Sequence, residues 1–223
     1  YNDRYYERVD LYTTSDTIYE ESIADASAAI KMLSKDSRID NNDIYVAGHS
    51  LGGMLAPKIA ELNSEVKGII SLSGSPRKFV DICYEQKCKF IDLDTTLTKE
   101  IKQEKLNTLA KEYKEINNIT EDSDEIIWDL SKTYWRSINN LNVKESLDKL
   151  TIPMLILQGG KDTQVLPDKD YKGWQEALGG RQNVQFKLYE NLNHNFLISK
   201  GYGFGEVLEY IGVNHVPEEV AID

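Results

Sequence analysis

The sequence predicts an α/β chain, with a mostly parallel sheet, helices on both of its faces, and a helical insertion. Short, nearly continuous apolar runs occur at Ile44-Tyr45-Val46-Ala47, at "VKGIISLSGSP" from Val66, at "PMLILQGG" from Pro153 and at "VQFKLYE" from Val184. Strands buried on both faces read this way, whereas half-solvated strands alternate apolar and polar residues. Helical patterns separate the runs, which is the strand–helix–strand order of a parallel sheet. Between residues 77 and 150 no good strand occurs, and Lys, Glu, Asp and Asn dominate at helical spacing.

After a tyrosine-rich opening, "TIYEESIADASAAIKMLSK" places Ile18, Ile23, Ala26, Ile30 and Leu33 close to one helical stripe. Thr17 and Glu20 have the spacing of a capping box. The turn "DSRIDNND" leads to the strand at Ile44, and "GGMLAPKIAELNS" follows as a helix in which Pro57 is tolerable only near the first turn or as a kink. The insertion holds "KEIKQEKLNTLAKEYKEI" and "EIIWDLSKTYWRSI". The second stretch is expected to be helical, with Ile127, Leu130 and Tyr134 on one face and Trp128 and Trp135 beside them. As plain surface helices, these segments use their tryptophans for packing. As a cap, which is the reading adopted, Trp128, Tyr134 and Trp135 line a pocket for an apolar substrate group. Further on, Asp168 is expected to cap the helix in "KDYKGWQEAL", "GYGFG" from Gly201 to be a flexible loop bordering the site, and Pro217 to open a last helix.

Composition narrows the function classes. The 37 acidic against 26 basic side chains give a net charge of -11, a field that repels phosphate backbones and anionic lipid. Nucleic acid and membrane are therefore not expected as partners, and no apolar run approaches the roughly 20 residues that span a bilayer. Cys83 and Cys88 would point in different directions on one helix and read as two ordinary thiols. The three histidines lack a paired His-x-x-x-His spacing, no cysteine pair has two-residue spacing, and no phosphate loop or dinucleotide fingerprint occurs. No metal and no cofactor are expected.

Chemistry is concentrated in "IYVAGHSLGGMLA", where a strand delivers Ser50 into a tight turn between Gly48 and Gly52 and a helix follows. This is the Gly-x-Ser-x-Gly arrangement, in which a strained strand-to-helix turn thrusts the hydroxyl above the sheet. The helix N-terminus beside it favours a developing anion. A serine hydroxyl is a poor nucleophile without a base and an acid to orient that base. His194 lies in "YENLNHNF", the loop after the strand "VQFKLYE", where a base would come back over the sheet. His49, inside the elbow, should point away from the serine, and His215 precedes Pro217. Asp162 lies in the loop ending the strand of "LILQGGKDTQVLP", the place for an orienting carboxylate. The order Ser50, Asp162, His194 is nucleophile, acid, base.

At these residues the chain resembles the α/β-hydrolase superfamily, in particular bacterial serine esterases related to dienelactone hydrolases and the prolyl-oligopeptidase catalytic domain. "GHSLGG" is similar to the family's elbow, "LILQGGKDTQV" to its acid loop and "LYENLNHNF" to its histidine loop. The resemblance implies a serine carboxylic ester hydrolase with Ser50 as nucleophile, His194 as general acid and base, Asp162 as orienter, and the backbone N–H of Leu51 as one oxyanion donor. It implies a small-molecule ester substrate. Residues 1–223 then read as one hydrolase domain, truncated at both ends and lacking the family's first strands, with a cap insertion at about 77–150. The His-Gly-type segment that supplies a second oxyanion donor is not found before the elbow. Association with another chain or with a missing N-terminal segment is one way to complete the sheet. A peptidase or thioesterase of the same fold, and a non-catalytic binding module, are the alternatives. An acidic partner of basic proteins is a further idea that rests on charge alone.

Overall fold

The computed structural model describes residues 16–212 and 215–222. Its elements are α1 (Ala24–Leu33), β1 (Tyr45–His49), α2 (Leu51–Leu62), β2 (Gly68–Leu72), α3 (Phe79–Leu93), α4 (Lys99–Asn117), β3 (Ile126–Ile127), β4 (Leu130–Ser131), α5 (Lys132–Asn139), α6 (Val143–Lys149), β5 (Met154–Gly159), α7 (Lys172–Leu178), β6 (Val184–Tyr189) and α8 (Glu218–Ile222). The four expected strands form one all-parallel sheet in the order β1-β2-β5-β6.

Helix α1 is entered through a π-turn over Tyr19–Ile23. The expected capping box closes there: the Thr17 N–H donates to the Glu20 carboxylate at 3.0 Å and the Tyr19 N–H to Thr17 Oγ1 at 3.2 Å. Ile18, Ile23 and Ile30 are buried, while Leu33 turns outward.

Strand register sorts the sheet into two faces, because side chains alternate along each strand. The rows Val46–Ile69–Met154–Val184 and Gly48–Ser71–Ile156–Phe186 lie on one face. Their apolar members join the main core with Ala56 and Ile59 of α2 and Trp174 and Leu178 of α7. The opposite rows, Ala47–Ile70–Leu155–Gln185 and His49–Leu72–Leu157–Lys187, meet a much smaller cluster of Leu157, Tyr189, Leu192, Phe196 and Val220 of α8. The central strands β2 and β5 are covered on both faces, as continuous apolar runs predict, whereas β1 and β6, the edge strands among the described residues, alternate and leave Ala47, His49, Gln185 and Lys187 exposed on the second face. Strand β1 has β2 as its neighbour among those residues, and Tyr45 on it is 54% exposed.

Pro57 sits inside α2 rather than in its first turn. A proline there leaves the carbonyl four residues earlier without its helical donor. That carbonyl, of Gly53, instead accepts the buried Ser71 hydroxyl of β2 at 3.1 Å. The interruption thus becomes a tie between helix and sheet, beneath the elbow.

The insertion departs from the all-helical expectation. Residues 126–131 form a two-stranded antiparallel hairpin whose turn residues Trp128 and Asp129 have φ of 50° and 68°. Two consecutive positive φ values suit the turns that match strand twist, and only Lys132–Asn139 of that stretch is helix, with Ser131 Oγ capping it by accepting the Tyr134 N–H at 3.0 Å. Trp128 is held in this conformation by its indole N–H, which donates to Glu112 at 2.7 Å, and by an edge contact with Trp135 at 5.9 Å. Trp135 in turn packs on Phe79 of α3 and belongs to the same core as the sheet. Cys83 and Cys88 both lie on α3 and are free thiols, and burial pushes Cys83 up to about 11.

Asp168 is exposed and caps nothing, because the chain enters α7 through a second π-turn, Pro167–Tyr171. The carboxylate used is that of Asp170, fully buried, which accepts the Leu166 N–H at 2.7 Å, the Ser75 hydroxyl, and Arg77 Nε at 2.8 Å. Arg77 also pairs with Glu85 at 3.0 Å. This network fastens the start of the insertion to the segment that carries the acid loop.

Candidate active site

Ser50 stands at the carboxyl end of β1 with φ 55° and ψ -118°, a conformation in which few non-glycine residues rest. Its N–H donates to Leu72 O at 2.8 Å, and its carbonyl accepts the Met54 N–H at 3.1 Å, so the strained residue is fixed to β2 on one side and to α2 on the other. The two glycines of the motif are not equivalent. A Cβ on Gly48 would lie 2.2 Å from Gly52 O and 2.7 Å from Gly53 N, whereas a Cβ on Gly52 would meet nothing within 4 Å. Gly48→Ala is therefore expected to destabilise the chain by about 3 kcal/mol through backbone overlap, and Gly52→Ala to leave stability nearly unchanged. Thermal unfolding of the two variants side by side checks this, and equal losses would refute it.

Asp162 and His194 are buried and meet directly, His194 Nδ1 lying 2.8 Å from Asp162 Oδ2. With Nδ1–H donating to the carboxylate, Nε2 is left as the basic nitrogen. Asp162 is itself held by four donors: Oδ1 accepts the N–H groups of Gln164 at 2.8 Å and Val165 at 3.0 Å, while Oδ2 accepts Gln158 Nε2 at 3.0 Å besides the imidazole. The loops bearing Asp162 and His194 are zipped together by backbone bonds from Gly160 N to Tyr189 O and from Lys161 N to Leu192 O, both 2.8 Å. Gly159 makes this approach possible, since a Cβ there would lie 2.4 Å from Asn193 O.

His49 supplies the link between the elbow and this pair. Its Nε2–H donates to the His194 carbonyl at 2.8 Å, and the two rings are 4.7 Å apart. The expectation that it points away from the serine captures only half of its position, because it points toward the base's loop. His215 is exposed on the segment before α8. Two more residues with positive φ lie close by in sequence or sheet position, Ser73 after β2 and Phe196 two residues beyond the base. The Ser73 hydroxyl is buried with no hydrogen-bond partner among the described residues.

Of the three aromatic residues expected in a pocket, Trp128 lines a groove of about 670 Å³ between α3 and α4 that includes Phe90, Ile101 and Leu109. Tyr134 and Trp135 are 8% and 1% exposed. Their polar atoms are used internally, Tyr134 OH donating to Glu21 and Trp135 Nε1 to Ile127 O. Amphipathic spacing does not separate a residue that packs from one that lines, so both readings fitted the sequence. "GYGFG" is an exposed loop except at Phe204, which is buried with its ring tilted against that of Phe90 of α3, the centroids 4.6 Å apart. Helix α3 also reaches the acid loop, Gln86 Nε2 donating to Gln164 O at 3.1 Å.

Two buried residues that tie these loops are not singled out by the sequence. Gln158, buried at the end of β5, bonds both Asp162 and Val165 O. The signal was available as the lone amide closing the apolar run "LILQGG". Glu209, which accepts from Asn193 beside His194, has no comparable signal.

The chain is 34% identical over 215 residues to Esterase EstD of Thermotoga maritima, which covers 96% of this chain and 48% of that protein. It therefore spans about half the length of this curated relative. Among solved structures it is similar to Est1E from Butyrivibrio proteoclasticus, with a TM-score of 0.51 and 21% identity over 81% of this chain and 63% of that one. It is also similar to an acetyl xylan esterase from Paenibacillus sp. R4, with a TM-score of 0.51 and 16% identity over 79% and 48% of the two chains. At these identities the structures speak for a shared fold, the parallel sheet of the α/β-hydrolases. Ser50, Asp162 and His194 all fall within residues 17–200, which match the family model described as serine aminopeptidase, S33, and the chain belongs to that α/β-hydrolase family.

Proposed function

We propose that this chain is a serine hydrolase of carboxylic esters, acting through Ser50, His194 and Asp162. The observation that carries the reading is the buried Asp162–His194 pair at 2.8 Å, tied through His49 to the strained elbow that presents Ser50. In this reading Ser50 Oγ attacks the ester carbonyl while His194 takes its proton. The proton then passes to the departing alkoxide, leaving an acyl-enzyme that water opens by the same route in reverse roles. The charge on the tetrahedral oxygen falls at the start of α2, where the Leu51 N–H is one of the four amides without an intrahelical acceptor.

The name of the relative at 34% identity favours esters as substrates. The family's description favours a second reading, cleavage of an N-terminal amino acid from a peptide. Stoichiometric labelling of Ser50 by a fluorophosphonate is expected, since the serine displaces fluoride from phosphorus whatever its natural substrate. Comparing p-nitrophenyl acetate with alanine p-nitroanilide then separates the readings: faster turnover of the ester supports esterase activity, and faster turnover of the anilide supports the peptidase. Absence of both labelling and turnover would overturn the hydrolase reading in favour of a binding module.

A further inference from the structure

Downstream of His194 the chain turns back onto the loops that carry the acid and the base. Glu209 ends a single 3-10 turn, Val207–Glu209, and is 4% exposed. Its two carboxylate oxygens accept Asn193 Nδ2 at 3.0 Å and Lys200 N at 3.2 Å on Oε1, with Lys200 N at 3.2 Å and Tyr202 N at 3.1 Å on Oε2. Burial pushes this carboxyl up, but hydrogen bonds from the Asn193 and Ser199 side chains and from the Tyr202 and Lys200 amides outweigh burial and hold it below the usual carboxylate range.

Asn193, 1% exposed, immediately precedes the base. Its Oδ1 accepts the N–H groups of Asn195 and Leu197, both at 3.1 Å, and its own N–H donates to Leu197 O at 2.9 Å. His194 therefore sits in a tight loop whose shape depends on how the Asn193 amide is turned, and Glu209 sets that turn by accepting from Nδ2. The next residue serves the other loop. Tyr210 OH accepts Gln164 Nε2 at 3.0 Å, and the Gln164 N–H donates to Asp162 Oδ1.

We propose that Glu209 is a positioning residue for His194: through Asn193 it fixes the loop that presents the imidazole, while the adjacent Tyr210, through Gln164, fixes the loop that presents Asp162. One short turn thus sets the alignment of acid and base. This assignment rests on the serine-hydrolase reading for its catalytic consequence, but its structural content, the coupling of Glu209 to the His194 imidazole, stands apart from turnover. The site requires an anion. A glutamine has the same shape but one acceptor oxygen, and its NH₂ would oppose the donors that remain, leaving a buried N–H without a partner.

The test uses the whole chain and Glu209→Gln. Expected results are a 10- to 100-fold fall in kcat for p-nitrophenyl acetate and in the fluorophosphonate labelling rate, with KM changed less than twofold, as follows from a slightly misplaced base. Glu209→Asp, which keeps the charge, should recover part of the loss. In the Asp162→Asn background Glu209→Gln should cost little more, because both act on the same imidazole. An independent contribution to folding would instead be felt in full in either background. The ¹⁵N and ¹H resonances of the His194 ring, assigned by their loss in His194→Gln, should shift or broaden in Glu209→Gln while those of exposed His215 stay in place. Unchanged kcat together with unmoved His194 resonances would overturn the proposal. If wild type neither turns over ester nor takes the label, the hydrolase reading fails, and the resonances still decide whether Glu209 positions the ring.

Discussion

Ser50→Ala is expected to lower kcat for p-nitrophenyl acetate by about 10⁶-fold, the scale on which serine hydrolases respond to loss of the nucleophile. The reason is geometric as well as chemical. The Ser50 backbone is held at φ 55° by bonds to Leu72 and Met54, so the alanine variant should keep the elbow, the Asp162–His194 pair and the Leu51 amide. What it loses is the atom that bonds to carbon. Residual rate in the variant would come from the oxyanion donor and from water activated by His194. The measurement is steady-state hydrolysis beside fluorophosphonate labelling, with unfolding temperature as the control for folding. Covalent label persisting in Ser50→Ala would place the nucleophile at another residue and remove the basis of the proposed function.

Asp162→Asn is expected to lower kcat by about 10⁴-fold while KM changes little. The Asp162 oxygens accept from Gln158 Nε2, from the Gln164 and Val165 amides and from the imidazole. Every partner is a donor, so the site is built for an acceptor on all sides. An asparagine offers one acceptor oxygen and an NH₂ group. If its oxygen stays on the Gln164 and Val165 amides, the NH₂ faces Gln158 and His194, and the imidazole must present a bare Nδ1 with its proton on Nε2. A ring in that tautomer cannot accept a proton from Ser50. Circular dichroism of both proteins should coincide, since the loop keeps its backbone bonds. A loss of less than tenfold would show that another acid orients His194.

How much of this was legible in the sequence depends on the distance over which each property is decided. The four strands, the helix after Ser50, the capping box at Thr17 and the order Ser50, Asp162, His194 are all written in short windows, because backbone sterics, apolar periodicity and turn chemistry act between near neighbours. The hairpin at 126–131 lay at the edge of this range. Its residues have helical spacing, yet Trp128 and Asp129 adopt positive φ because the Trp128 ring finds Glu112 and Trp135 across the insertion. Asp168 is expected to cap the helix that follows, but the buried carboxylate there is Asp170, which is held by Ser75 and Arg77 from more than 90 residues away.

By itself the sequence determined the class of fold, the strand-to-helix turn that carries Ser50, and the loops after two parallel strands that carry Asp162 and His194. Only the tertiary structure decided what those residues touch: that Gln158 bonds Asp162 and Glu209 bonds Asn193, that His49 reaches the His194 carbonyl, and that Tyr134 and Trp135 pack the core while Trp128 lines a groove. The physical reason is that a hydrogen bond or a burial site requires two partners brought together by the chain's path. That path follows from the sum of all packing choices, whereas a local pattern records only one side of each contact.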